Sequence, residues 1–238
     1  MSDNGSALSW LVAVLTSPAK TFAQIAEKPR WWVPMVVMIL GVGALTLAVH
    51  ARTDYREHTA NVMEMRNVHT MSAEDLDRAA EMQEKFGSLG AVIGGIAVGV
   101  IMTVIGLFYW VLLRLMGSEI TFAQSLGTHL WGAIPVVLGM LIAIPIVLAG
   151  GDLSTEQLLS RNFMASNLTF LAGEDTSPLV FQLLASIDFF AIWSVIITAL
   201  GFQIVGRVSK GVAWGAVLLM TLLGVAIRLG STLAAGGG

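Results

Sequence analysis

The chain has 238 residues, of which 55% are hydrophobic and only 12% charged, and its mean hydropathy is +0.78. A soluble domain carries about 25% charge, so this composition excludes an ordinary soluble protein. The formal net charge of −3 gives no basic footprint for nucleic acid, and the absence of cysteine excludes disulfides, thiolate metal sites and cysteine nucleophiles.

Residues 1–30 form a polar start followed by an amphipathic arm. It lacks the basic region of a cleavable signal, so the first span is expected to act as the insertion signal. Leu8, Trp10, Leu11, Val12, Val14 and Leu15 make an apolar stretch too short to cross a bilayer. Ser17-Pro18 is a helix-start signal, and Thr21-Phe22-Ala23-Gln24 follows it. Lys20, Phe22, Lys28, Arg30, Trp31 and Trp32 are expected to anchor this arm at the membrane interface.

From residue 31 to 238 the pattern is that of a membrane domain. Apolar stretches run over about 31–49, 89–113, 126–149, 181–206 and 212–229. About 20 apolar residues in a helix match a hydrocarbon core of about 30 Å. Lipid offers the backbone no hydrogen-bond partner, and continuous apolarity without alternation selects helices over a barrel. The expected fold is therefore all-α, a five-span bundle with short interfacial helices on its cytosolic side.

The connections between spans supply the candidate sites. In the first loop, 50–88, Ser72 caps a helix expected to reach about Phe86. If the first span continues unbroken, His50, Asp54 and His58 share one face, a geometry for a metal ion, with Met63, Met65, His69 and Met71 as soft additions. The simpler reading is a solvated helix face. In the second span, Gly90, Gly94, Gly95 and Gly99 contain two GxxxG spacings and are read as a helix-packing surface, toward this chain or a second copy.

Thr121-Phe122-Ala123-Gln124 then repeats the earlier tetrapeptide, and each copy is followed by a Trp and a Pro at the start of a span. Phe122 and Trp131 are accordingly expected at the interface, in a second elbow on the same side as the first. His129 is read as an interfacial or interhelical hydrogen-bonding group rather than a catalyst, and Pro145 as deep enough to bend span three. After the 150–180 loop, Asp188 is the one carboxylate inside an expected span. It is either a structural carboxylate near the outer boundary or an intramembrane relay.

Orientation follows from charge near the helix ends. Lys20, Lys28, Arg30, Arg114, Arg207 and Lys210 face few acids, whereas the 50–88 and 150–180 loops are strongly acidic. The positive-inside rule places the N-terminus in the cytosol and, with five spans, the C-terminus outside.

Ser17-Pro18-Ala19-Lys20-Thr21-Phe22, the Phe122-to-Pro135 segment, Ile187-Asp188-Phe189-Phe190-Ala191-Ile192-Trp193 and Arg207-Val208-Ser209-Lys210-Gly211 together resemble the Yip-domain (Ypt-interacting protein) membrane family. The resemblance covers nearly the whole chain and implies five spans with a cytosolic N-terminus. Its eukaryotic members bind Rab-type GTPases. This chain has neither their long polar N-terminal region nor the Tyr-Gly-Pro-type motif, and it looks more like short prokaryotic members of the bacterial inner membrane.

There is no P-loop, HExxH or GxSxG pattern. The expected partners are thus the lipid bilayer and a membrane protein or second copy, with no cofactor and no nucleic acid. The leading expectation is a non-enzymatic organiser of membrane or protein partners. The alternatives are a small-solute or ion permease using Asp188, and an exterior metal sensor using the 50–71 loop.

Overall fold

The computed structural model describes residues 8–65, 72–160, 163–173 and 176–234. His69 and Met71 of the suggested metal set lie outside them. The described residues form helices α1 (Ser9–Thr16), α2 (Pro18–Glu27), α3 (Trp32–His50), α4 (Tyr55–Met65), α5 (Ala73–Leu115), α6 (Phe122–Gly132), α7 (Ile134–Ala149), α8 (Thr155–Ser160), α9 (Pro178–Ser186), α10 (Phe189–Val205) and α11 (Lys210–Ala234). A 3₁₀ turn at Leu168–Leu171 and an isolated bridge between Asn167 and Asp188 complete the regular structure.

Among the described residues four stretches are long and apolar enough to cross a membrane: α3, α5, the α6–α7 pair and α11. The fifth expected stretch is interrupted. Instead of one helix over 181–206, α9 ends at Ser186, and the apolar α10 restarts at Phe189 with 17 residues. Asp188 causes the restart by accepting the Ala191 amide at 2.9 Å as the N-cap of α10.

Two other joints depart from expectation. The Ser72-capped helix does not end near Phe86 but runs unbroken through the second span, giving α5 43 residues and a length of about 65 Å. Gly87 lies mid-helix where a Cβ would stand 2.2 Å from His50 Nδ1, so its bareness lets the end of α3 approach α5. Span three is interrupted at Ala133, and α7 continues as one helix through Pro145. Pro135 is the cause: it offers no N–H to the carbonyl four residues earlier.

Packing centres on α6. It is buried against α5 and α10, with Leu130 and Trp131 fully enclosed and Ser125 and Thr128 equally hidden. The arm joins the same core. Trp10 and Val14 of α1 and Phe22 and Ile25 of α2 cluster with Trp131, Phe202 and Val205. Outward, α5 and α11 present Val92, Ile96, Val100, Leu218 and Leu222 uncovered, an apolar exterior suited to lipid and not to water.

The closest helix approaches use glycines that stand outside the GxxxG run. A Cβ on Gly132 would lie 2.1 Å from Thr198 Oγ1, and one on Gly201 would lie 2.7 Å from the Phe22 ring. Gly90 has nothing within 4 Å. Gly132→Ala is therefore expected to destabilise the protein by about 1–3 kcal/mol through overpacking. Gly90→Ala should be neutral or stabilising by up to about 1 kcal/mol. Thermal unfolding of the two variants in detergent checks the contrast, and equal midpoints would refute the packing assignment.

Candidate functional site

A set of side-chain hydrogen bonds that joins separate helices and connections lies at the end of the bundle where α3, α6 and α11 begin and α5 and α10 finish. α5 stops there in a Schellman turn: Gly117 has φ +88°, Ser118 N–H donates to Leu113 O at 2.9 Å, and Gly117 N–H donates to Arg114 O at 3.1 Å. The Ser118 hydroxyl then donates to Gly206 O at 2.6 Å, which ties the α5–α6 connection to the end of α10. Trp110 Nε1 donates to Ile120 O at 3.1 Å within the same connection.

α6 opens with a reciprocal cap. Gln124 N–H donates to Thr121 Oγ1 at 3.2 Å, and Thr121 N–H donates to Gln124 Oε1 at 2.9 Å. The other end of the Gln124 amide donates to Ala26 O at 2.7 Å, and Trp131 Nε1 donates to Pro29 O at 3.1 Å. The α2–α3 connection is thereby pinned to α6. Deeper in, Ser125 donates to Gly106 O and Ser194 to Gly132 O, each at 2.9 Å.

These bonds make one surface from three connections. It carries Lys20, Lys28, Arg30, Arg114, Arg207 and Lys210 against Glu27 and Glu119. Arg30 (φ +38°) and Arg207 (φ +50°) both hold left-handed backbone just before a helix. For a residue with a Cβ that costs about 1–2 kcal/mol, so the surrounding contacts must impose it. The Arg30 guanidinium lies 4.9 Å from the centre of the Trp10 ring, which itself leans on Trp131 with centroids 5.7 Å apart.

Of the expected interfacial anchors, Lys20, Lys28, Trp31 and Trp32 are exposed and Arg30 is half-buried. Phe22 and Trp131 are not at a lipid surface. Both are 0% exposed, Phe22 wedged at Gly201 and Trp131 between Trp10 and the α2–α3 connection. Phe122, in the matching position of the repeat, is 36% exposed and meets Trp110 edge-on. The two copies of the tetrapeptide thus face different surroundings.

His129 sits in α6 beside Tyr109, with ring centroids 5.3 Å apart. Its Nε2 is buried and has no hydrogen-bond partner among the described residues. Of the expected packing glycines, Gly95 and Gly99 meet Ile39 of α3, with Cβ positions 3.1 and 3.2 Å from its side chain. Gly94 only reaches Val42 at 4.0 Å, and Gly90 faces open space. Two of the four therefore line a close contact. Gly106, Gly127, Gly132, Gly139 and Gly201, which the spacing rule passes over, stand closer to their neighbours.

The metal reading fails on geometry. α3 ends at His50, and Asp54 caps α4 by accepting Arg56 N–H at 3.0 Å and Glu57 N–H at 2.9 Å, so the shared helical face does not exist. His50 Nδ1 pairs with the Tyr55 hydroxyl at 2.7 Å, and His58 Nδ1 faces Thr155 Oγ1 at 3.3 Å. Burial pushes the His58 imidazole below its usual range. Among the described residues no three His, Asp or Glu side chains gather to hold a metal.

Asp188 is at the opposite end from the basic surface. One carboxylate oxygen caps α10, and the other accepts the Ser166 hydroxyl. Both of its oxygens thus hold backbone and loop in place. Asp188→Asn retains an acceptor and should keep most stability, whereas Asp188→Ala should lose about 1 kcal/mol, within a range of about 0.5–2. Thermal unfolding in detergent ranks the two. Wild-type proteoliposomes that carry a solute or proton flux lost in an equally stable Asp188→Asn would overturn the structural assignment.

The Yip1 domain model matches residues 12–230. The chain is 27% identical over 216 residues to the membrane protein YknW of Bacillus subtilis (strain 168), covering 90% of this chain and 86% of that protein. No solved structure matches the chain.

Proposed function

The chain belongs to the Yip1 domain family of membrane proteins, and from that premise we propose that it organises lipid or protein partners at a membrane and does not catalyse a reaction. In this reading it sits in the bacterial plasma (inner) membrane with five crossings. α9 and α10 together form the fourth, the N-terminus lies in the cytosol and the C-terminus outside. Charge supports that orientation. The surface with Lys28, Arg30, Arg114, Arg207 and Lys210 adjoins the helix ends, while the opposite end carries Glu57, Glu64, Glu74, Asp75, Asp77, Glu81 and Glu84.

The observation that carries the proposal is the α2–α6 assembly. Gln124 and Trp131 spend side-chain donors on the Ala26 and Pro29 carbonyls, fixing the arm against the bundle and leaving a rigid, basic, cytosol-facing platform. A platform with its hydrogen bonds already made presents shape and charge to a partner. The permease alternative needs a polar path across the bilayer. Its leading residue, Asp188, has both oxygens engaged at a helix start.

Because cysteine is absent, single cysteines report sidedness directly. Ala23→Cys should resist a membrane-impermeant maleimide in intact cells and react after permeabilisation, while Ala73→Cys should react in both. The reverse pattern would turn the protein over. Native mass spectrometry of gently extracted protein should show a retained lipid or protein partner. A bare monomer, or solute flux in proteoliposomes, would sink the organising role.

A further inference from the structure

We propose that Arg114, Arg207 and Lys210 form a recognition site for the headgroup of an anionic phospholipid, an inference that rests on the platform reading and names its partner. Three observations bear on it. First, the cations are gathered by the fold. The Ser118 hydroxyl on Gly206 O at 2.6 Å sets the residues after Arg114 directly against those before Arg207, and Lys210 is the first residue of α11. The Gly117 turn and the left-handed backbone of Arg207 hold both arginines in place.

Second, these charges are unspent. All three are exposed, and none has a carboxylate within 4 Å among the described residues. The ion pairs among the described residues, Arg56 with Asp77 and Arg78 with Glu74 and Asp75, belong to the acidic opposite end. Lys28 adds a further exposed cation to the same surface. Such a concentration of positive charge, which outnumbers Glu27 and Glu119 on that surface and is ion-paired to neither, attracts a multiply oxygenated anion.

Third, the surroundings select a lipid over a free anion. Arg114 is followed by Leu115, 81% exposed, and Met116, also exposed, while Trp31 and Trp32 are uncovered at the same end. Apart from Arg114 and Gln203 the last turns of α5 and α10 are apolar here, and so is the first turn of α11 after Lys210. The cations therefore stand at the depth of the phosphates, with acyl-chain surface immediately beneath them. An amphiphile with an anionic head satisfies both halves of this surface, and inorganic phosphate satisfies only one.

The test uses the full chain in a neutral detergent, with thermal stability read against added phosphatidylglycerol, phosphatidylcholine or inorganic phosphate. Phosphatidylglycerol should raise the midpoint, and the other two should not. At about 1 kcal/mol per basic residue, the Arg114→Gln, Arg207→Gln, Lys210→Gln triple variant should bind phosphatidylglycerol about 100-fold more weakly. Lys85→Gln with Arg228→Gln, at the opposite end, should leave binding intact.

If the triple variant does not fold, wild type still decides the matter, because a headgroup contact of this kind must weaken as salt is raised to about 0.5 M. Equal stabilisation by phosphatidylcholine, the same effect from phosphate alone, a triple variant that binds like wild type, or insensitivity to salt would each overturn the proposal. Micelles expose both ends of the protein, so this result is independent of orientation. An inverted topology would instead show in the cysteine labelling.

Discussion

Backbone carbonyls and amides released where a helix stops inside a packed bundle must find partners in the protein, because packing shuts out water and hydrocarbon offers no bond. This chain stops its helices often. At the α6–α7 joint Val136 N–H turns to Ala133 O at 3.0 Å, and the Ser194 hydroxyl, 62 residues away, takes the Gly132 carbonyl instead. At the end of α10 the Gly206 carbonyl is taken by Ser118. Between α2 and α3 the Ala26 and Pro29 carbonyls are taken by Gln124 and Trp131. Where α10 begins, Asp188 takes the Ala191 amide. All of these repairs but the Asp188 cap couple two elements distant in sequence, so the devices that make the interruptions tolerable also set the tertiary arrangement.

The position of α6 follows from this. Three of the repairs involve α6 itself, and a fourth comes from the connection just before it. A helix asked to make so many short contacts has to come close to its neighbours, and glycine permits that. Gly127 approaches Pro29, Gly132 approaches Thr198, and on the facing helices Gly106 and Gly201 approach Leu126 and Thr128. In lipid the gain on association comes from such contact and not from hiding apolar surface, since acyl chains are as apolar as the side chains they replace. Hydroxyl-to-carbonyl bonds at 2.6–2.9 Å across these seams are available only because the backbones are already close.

That dependence explains what could be read in the sequence and what could not. The apolar stretches, the Ser72 and Thr121 caps and the basic-to-acidic polarity of the chain are local properties, and they were legible. The identity of the break in span three was not. Pro135 and Pro145 look equally disruptive in isolation, yet the helix stops before the first and continues through the second. Among the partners seen, Ser194 stands opposite the carbonyl freed near Pro135, and no local pattern announces it.

The tetrapeptide repeat misleads for the same reason. Thr21-Phe22-Ala23-Gln24 and Thr121-Phe122-Ala123-Gln124 are identical, but Gly201 offers Phe22 a notch that Phe122 lacks. Likewise the metal reading assumed one helix through His50, Asp54 and His58. The Asp54 carboxylate instead preferred the local amides of Arg56 and Glu57, which is the ordinary competition between a short polar side chain and a continuing helix.

The two ends of the bundle then take on different characters through how their charges are spent. At the acidic end the cations are partly consumed: Arg56 by Asp77, Arg78 by Glu74, and Arg52 by the Leu148 carbonyl at the end of α7. That end is internally braced, with Asn61 bonded to Thr155 at 3.2 Å and Gln83 to Thr59 at 2.9 Å across helices. At the basic end the bracing is done by neutral side chains acting on backbone carbonyls. Arg114, Arg207 and Lys210 are consequently not needed to hold the fold together. A cation released from structural duty, on a backbone fixed by other groups, can meet an outside anion without the protein having to give up a bond or reorder a loop. The neutral repairs that the membrane setting demands are what leave this surface charged, rigid and open.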